Sequence, residues 1–443
     1  MRIVQITPGS GDNFYCENCL RDKALARAWR AMGVDALLVP LYLPLLTDAA
    51  GLVDDSPLFF GGINVYLQQK LGLFRRTPRW LDRLWDSRRL LRWAARRADM
   101  TTASDLGRTT VSMLRGTDGR QAKELDRLTD WLAREGQPDV LILSNALLTG
   151  LAGEIRRRTG AAVACLLQDE DAFLDSLGPP YDEQAWSLLR SNLDDVDALV
   201  PVSAWYADLM ARRLMTDRPM EVIPTGVDID DYDPAAAPPE VPTVGFLSRM
   251  CHDKGLDLLA EAFLRLRARP GLERLRLRIG GGQLGADKRY VTDILASLRR
   301  AGAAGAVEVV DDLNQPGRRR LLEGLSVLSV PERRGEACGL YVLEALACGV
   351  PVVQPANGVF PELLGATGGG VRVPPGDVDA LTDALTRLLA DPHAAWRMGQ
   401  AGRRAIVERF SARAAADRWG HLARRLRPAS TETCGSGTGP ATA

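Results

Sequence analysis

Cysteine, histidine, net charge and long apolar runs are all scarce in this sequence, and each shortage removes a class of protein. Seven cysteines in 443 residues is an odd, sparse count that suits a reducing compartment better than a disulfide framework. There are only three histidines, and Cys16-x-x-Cys19 lacks the second pair that would complete a four-ligand zinc site, so local packing is its plainer role. Lysine plus arginine number 56 and so do aspartate plus glutamate, which denies the chain the cationic surface on which general nucleic-acid binding rests. No run of about eighteen uncharged apolar residues is available to span a bilayer. The opening MRIVQITPGSG reads as a short strand entering a turn, without the long apolar stretch of a signal peptide. A cytoplasmic location is the expectation.

What is present is the mix of a protein with a substantial core: 46% hydrophobic and 25% charged residues. Short apolar runs alternate with helical patterns. VDALLVPLYL (34–43), DVLILS (139–144), AAVACLLQ (161–168), DALVPVS (197–203) and MEVIPTG (220–226) read as buried strands. Helical stretches such as 19–33 and 203–215 separate them, the pattern of βαβ units in a parallel sheet. At 227–242 the text becomes VDIDDYDPAAAPPEVP, a linker rich in Pro, Ala and Asp. The alternation then restarts with PTVGFLSRM, RLRLRIGGG, AVEVVDD, LSVLSVP and PVVQPA. The expectation is an α/β chain of two domains, 1–228 with a helical insertion at about 47–135, and 229–410. A helix at 411–427 and a disordered tail at 428–443 follow.

Residues 75–97 break the pattern, with nine Arg against two Asp and with Trp80, Trp85 and Trp93 interleaved. An amphipathic helix of this kind suits peripheral contact with the inner face of a membrane, and it equally suits packing on its own domain.

The densest chemistry lies in PERRGEACGLYVLEALACGVPVV (331–353). A charged loop leaves a strand and enters an apolar helix near Gly339, where ligands of parallel α/β sheets bind. The first free N–H groups, around Gly339, Leu340 and Tyr341, form an anion site suited to a diphosphate. Carboxylates beside an anion site make sense if they accept hydrogen bonds from hydroxyls. Glu336 and Glu344 then grip different ends of one ligand, and a nucleotide sugar has that layout. Arg249 and Lys254, in SRMCHDKG after another strand, supply cations that neutralise a departing diphosphate without a metal.

With these residues in place the chain resembles the retaining, nucleotide-sugar-dependent glycosyltransferases of family 4. The likeness rests on VPVSAWY (200–206), VIPTGVD (222–228), SRMCHDKG (248–255), GEACGLYVLEALACGVPVV (335–353), PELL (361–364) and VRVPPGDVDAL (371–381). It implies the GT-B fold, two facing Rossmann-like domains with a donor cleft between them and a C-terminal helix crossing back to the first. It also implies that Arg249 and Lys254 contact the donor diphosphate, Glu336 the donor sugar, Glu344 the ribose, and the Gly339–Leu340 amides the sugar and phosphates. The loop holding Gly9 and Gly11 is implied to approach the phosphates and acceptor, although a plain structural turn explains a Gly-Ser-Gly as well.

The main departure from that family follows AAVACLL, where many members carry a His-Asp-like pair and this chain has Gln168, Asp169, Glu170 and Asp171. Asp169 is expected near the reacting sugar, with Gln168 and Glu170 on the acceptor side; helix capping is the competing role. Thr225 and Cys338 also depart, standing where Asn and an aromatic are usual. FFGGINVYLQQ (59–69) offers either an acceptor-side loop or a closure of the insertion. The reading is hexosyl transfer from a nucleoside-diphosphate sugar to a hydroxyl acceptor, with retention and with no metal or cofactor. A nucleotide-sugar hydrolase or epimerase, and a non-catalytic binding protein, are the alternatives.

Overall fold

The computed structural model describes residues 1–8, 17–41, 103–283 and 285–427. Gly9, Gly11, Cys16, the 59–69 loop, the arginine-rich 75–97 segment and the tail from 428 lie outside the described residues.

Five strands, β1 (Arg2–Thr7), β2 (Asp35–Pro40), β3 (Val140–Leu143), β4 (Ala162–Leu167) and β5 (Ala198–Pro201), form one sheet in the order β2-β1-β3-β4-β5. Six more, β6 (Thr243–Leu247), β7 (Arg276–Gly280), β8 (Val307–Val310), β9 (Val327–Ser329), β10 (Val352–Pro355) and β11 (Gly370–Val373), form a second in the order β11-β10-β9-β6-β7-β8. All pairings are parallel. Helices cover both faces, so β3 and β4 are buried at every position and read as unbroken apolar runs. The second sheet's order reverses at β6, which lies between β9 and β7. Loops leaving the carboxyl ends of β6 and β9 therefore diverge from a shared crevice, where such sheets hold ligands.

MEVIPTG is not a strand. Glu221 and Ile223 donate to the carbonyls of Leu199 and Pro201 at 3.2 and 3.1 Å, so the segment follows β5 for two bonds. Pro224 has no N–H with which to extend the ladder. Nor is 227–242 a plain spacer. Val227 pairs with the chain leaving the last helices, donating to Phe410 O at 2.9 Å and accepting from Ala412 N at 2.7 Å. Tyr232 is 4% exposed and packs in the second domain's core.

That pairing delivers the terminal helix, Ala412–Leu426, to the first domain. Ser411 caps it through a bond from Ala414 N. Its apolar face meets the helix Glu17–Ala31, where Trp419 packs edge-on against Trp29 with ring centroids 6.5 Å apart. Trp29 Nε1 donates to Ala416 O at 3.2 Å, which satisfies the indole in a buried site. Trp419→Ala removes the larger part of this contact, and a buried Trp-to-Ala change costs about 3–5 kcal/mol. A fall in the urea midpoint is expected, and a midpoint within error of wild type would show that the helix docks without it.

Candidate active site

Lys254 ends a short turn, His252–Lys254, beyond β6. Gly255 follows at φ 72°, and a Cβ there would lie 2.2 Å from the carbonyl oxygen of Pro331. Only a residue without a side chain lets this turn rest against the end of β9. The approach brings the Lys254 ammonium 2.9 Å from Glu332 Oε2 and into contact with Glu336 Oε2. Both glutamate side chains are 3% exposed and the lysine 22%. Burial disfavours the ammonium, but the charges of Glu336, Glu332 and nearby groups outweigh it and hold the lysine pKa well above its usual value.

Glu336 is fixed from behind. Val359 N donates to its carbonyl at 2.8 Å, and a Cβ on Gly358 would sit 2.3 Å from its amide nitrogen. Three residues on, Gly339 opens the helix Leu340–Ala347, whose eight residues are all buried. In its first turn Val342 N donates to Gly339 O at 2.9 Å, whereas the N–H groups of a helix's first two residues, here Leu340 and Tyr341, have no intrahelical acceptor and mark its positive end. Tyr341 is fully buried, and its hydroxyl has no hydrogen-bond partner among the described residues.

Across the cleft, Asp169 occupies a left-handed conformation (φ 60°) at the start of the helix Glu170–Ser176. Its Oδ1 accepts from Ala337 N of the second domain at 3.3 Å. Glu17, at the start of the first helix, completes a set in which one carboxylate oxygen each from Glu17, Asp169 and Glu336 lies within 4.8 Å of the others. Such a set has the ligand chemistry to hold a hard cation. Burial and then the charge of Glu336 push the carboxyls of both Asp169 and Glu17 well above their usual range, with Lys254 offsetting only part. Nothing in CENC marks Glu17 in the sequence; its one signal is its place near the carboxyl edge after β1.

The neighbours of Asp169 do not join it, which corrects the acceptor-side expectation for them. Gln168 Oε1 accepts from Arg21 at 2.6 Å. Glu170 accepts from the amides of Ala146 (3.0 Å) and Gln168 (2.7 Å) and from the Tyr206 hydroxyl (2.8 Å). Both are 2% exposed and hold the first domain's own loops. The run turns into a helix at Glu170, and Glu170 and Asp171 both accept from the Tyr206 hydroxyl, whereas Asp169 before them bonds to the second domain.

In the second domain, Arg249 stands at the crevice, 41% exposed, in a two-pronged pair with Asp287 (Nε–Oδ2 2.9 Å, Nη2–Oδ1 3.2 Å). Its pairing thus differs from that of Lys254. Glu344 is 2% exposed, and its Oε1 is held by Arg318 Nε at 3.0 Å and by the Tyr232 hydroxyl. Cys338 and Thr225, the two departures noted above, line one small cavity of about 120 Å³ at the domain junction. Cys338 is 5% exposed, so it packs there.

Two of the sequence motifs tie the domains together. Ser203 Oγ donates to Ala337 O at 2.8 Å, and Glu362 accepts from the amides of Ala204 and Trp205 at 3.0 and 3.3 Å. The carboxylate of Glu362 thus caps the helix Ala204–Leu214 from the other domain. No helix among the described residues is long and apolar enough to cross a membrane.

Two facing parallel-sheet domains with a cationic and acidic cleft at their carboxyl edges constitute a GT-B architecture. The chain superimposes on sucrose-phosphate synthase from Thermosynechococcus elongatus with a TM-score of 0.69, covering 96% of this chain and 98% of that one at 19% identity. Residues 23–226 match the "Glycosyl transferase 4-like domain" family and residues 241–391 the "Glycosyl transferases group 1" family. The chain belongs to the family 4-type GT-B glycosyltransferases. It is 33% identical over 244 residues to a GDP-mannose-dependent α-(1-6)-phosphatidylinositol monomannoside mannosyltransferase of Mycolicibacterium smegmatis, covering 50% of this chain and 62% of the relative. The Mycobacterium tuberculosis protein of the same description is 32% identical over 258 residues, covering 55% and 63%. The match thus spans somewhat over six-tenths of the length of these relatives.

The raised carboxyls carry a sign. A carboxyl whose folded-state pKa lies above its unfolded value favours the fold while protonated, so this contribution is present in acid and is lost as pH rises through the raised value. Asp169→Asn keeps the Oδ1 acceptor for Ala337 and removes the titration. Between about pH 5 and pH 8 the variant's melting temperature is expected to fall less than that of wild type. Parallel curves would refute the arrangement of charges described here.

Proposed function

We propose that this chain transfers a hexosyl unit from a nucleoside-diphosphate sugar to a hydroxyl acceptor, with retention at the anomeric carbon and without a required metal. The observation that carries this reading is the contact of Lys254 with Glu336 at the foot of the helix Leu340–Ala347, opposite Asp169. An ammonium and a helix start take the two phosphates, and the carboxylates take sugar hydroxyls. GDP-mannose is the first donor to try, because the matched relatives are named as GDP-mannose-dependent mannosyltransferases. Both soluble and lipid-linked hydroxyl acceptors belong in the screen, since the relatives' names specify a phosphatidylinositol mannoside.

The chemistry proposed is a front-side displacement. The bond from the anomeric carbon to the phosphate oxygen breaks as the acceptor oxygen approaches the same face, and the leaving phosphate oxygen accepts the acceptor's proton. Charge grows on the diphosphate, where Lys254, Arg249 and the first-turn amides stabilise it; Arg249 does so by exchanging Asp287 for phosphate. Glu336 orients the sugar. Asp169 faces the same space from the first domain, and its raised pKa equips it to donate a hydrogen bond to the sugar or acceptor. Lys254 and Arg249 provide the positive charge that a divalent ion provides elsewhere.

A thermal-shift screen of GDP-mannose and other nucleotide sugars identifies the donor, a ligand at a hundred times its Kd adding about 2.7 kcal/mol to stability. Glu336→Gln preserves shape and is expected to lower kcat/KM for transfer by about a hundredfold or more, with the melting temperature retained. Turnover is expected to survive EDTA. Full activity in Glu336→Gln would sink the assignment, and loss with EDTA restored by a divalent ion would overturn metal independence and turn attention to the Glu17, Asp169 and Glu336 carboxylates.

A further inference from the structure

We propose that Glu332 is a positioning residue for this reaction: it anchors the Lys254 ammonium, so that Glu336 can turn from the lysine to the sugar while the lysine stays aimed at the diphosphate. The inference rests on the transfer reading above and adds to it a residue that neither the motifs nor the comparisons single out.

Glu336 carries two demands. Its Oε2 lies on Lys254 Nζ. In the reaction it must accept hydrogen bonds from sugar hydroxyls. A lysine is a compact charge on a flexible four-carbon stem with three donors. If Glu336 were its sole partner, each move of Glu336 toward a sugar would leave a mostly buried ammonium unpaired, free to swing or to lose its proton. Glu332 removes that conflict by placing Oε2 2.9 Å from the same ammonium, an ion pair rather than an aligned hydrogen bond, from a different point of the loop.

Glu332 is itself held where it cannot follow Glu336. Its amide donates to Val330 O at 2.8 Å, its Oε1 accepts from Arg334 N at 3.2 Å, and its carbonyl accepts from Asn357 Nδ2 at 3.3 Å. The next residue, Arg333, stitches this loop to the one bearing Lys254. Its amide donates to Asp253 O at 2.8 Å, and its guanidinium clasps Asp257 through two bonds of 3.0 and 2.6 Å. Glu332 and Lys254 thus belong to one stitched pair of loops, with bonds on both sides of the lysine. Glu336 lies beyond Gly335, nearer the helix start that receives the ligand.

The contributions of the two glutamates separate in kinetics. Contacts to the sugar are made in both the bound and the reacting states and influence KM, whereas the lysine acts on charge that develops as the diphosphate leaves and so influences kcat. Glu332→Gln keeps the size and the acceptor oxygen but removes the charge that anchors Lys254. Expected is a fall in kcat of about tenfold or more with the donor KM within about threefold of wild type and the melting temperature retained. Unchanged kcat, or a parallel loss of KM and melting temperature as general loosening would give, overturns the role. Should Glu332→Gln not accumulate as folded protein, Glu332→Asp is read by the same split: reduced kcat with KM kept supports the role, and unchanged kcat overturns it. Glu336→Gln assayed alongside separates the two conclusions. If Glu336→Gln also turns over normally, the transfer reading itself fails; if only the Glu332 variants are normal, the positioning role alone falls.

Discussion

The cleft depends on a close approach of two turns. The turn after β6 rests on the end of β9 because Gly255 presents no side chain to Pro331, and this sets the Lys254 ammonium among buried carboxylates. Four carboxyls, Glu17, Asp169, Glu332 and Glu336, surround or face one lysine. Burial and the charge of Glu336 push the carboxyls of Glu17 and Asp169 above their usual range, toward the neutral form.

The same β9 loop also joins the domains. Ala337, next to Glu336, donates to Asp169 and accepts from Ser203, so Glu336 is coupled through one peptide to the first domain. Glu362 adds a carboxylate at the start of a first-domain helix. These links are polar, whereas the terminal helix, with Trp419 against Trp29, provides an apolar attachment.

Much of this was legible in the residues. Central strands such as β3 and β4 are apolar at every position and the outer ones mostly so, and ten of the eleven runs stand out as text, with β11 quoted only within the VRVPPG motif. The cleft-forming loops follow strands, so Arg249, Lys254, Asp169 and Glu336 were placed at the carboxyl edges by counting along the chain. What misled was sidedness. Gln168 and Glu170 flank Asp169 but turn into their own domain, and MEVIPTG has strand composition but a proline where the ladder needs a donor. Glu17 and Glu332 were illegible because their partners are 319 and 78 positions distant, as numbering from Glu336 and Lys254 shows, and no local pattern encodes such a pairing.

By itself, then, the sequence determined the two-domain α/β plan, the order of strands and helices, and the loops that bear charge, because these follow from local periodicity and from where polar residues interrupt buried runs. Only the tertiary structure decided which of the acids share one ammonium, which face the cleft and which brace a loop. A carboxylate's role depends on its counter-charge and its burial, and both are contributed by segments far away in the chain.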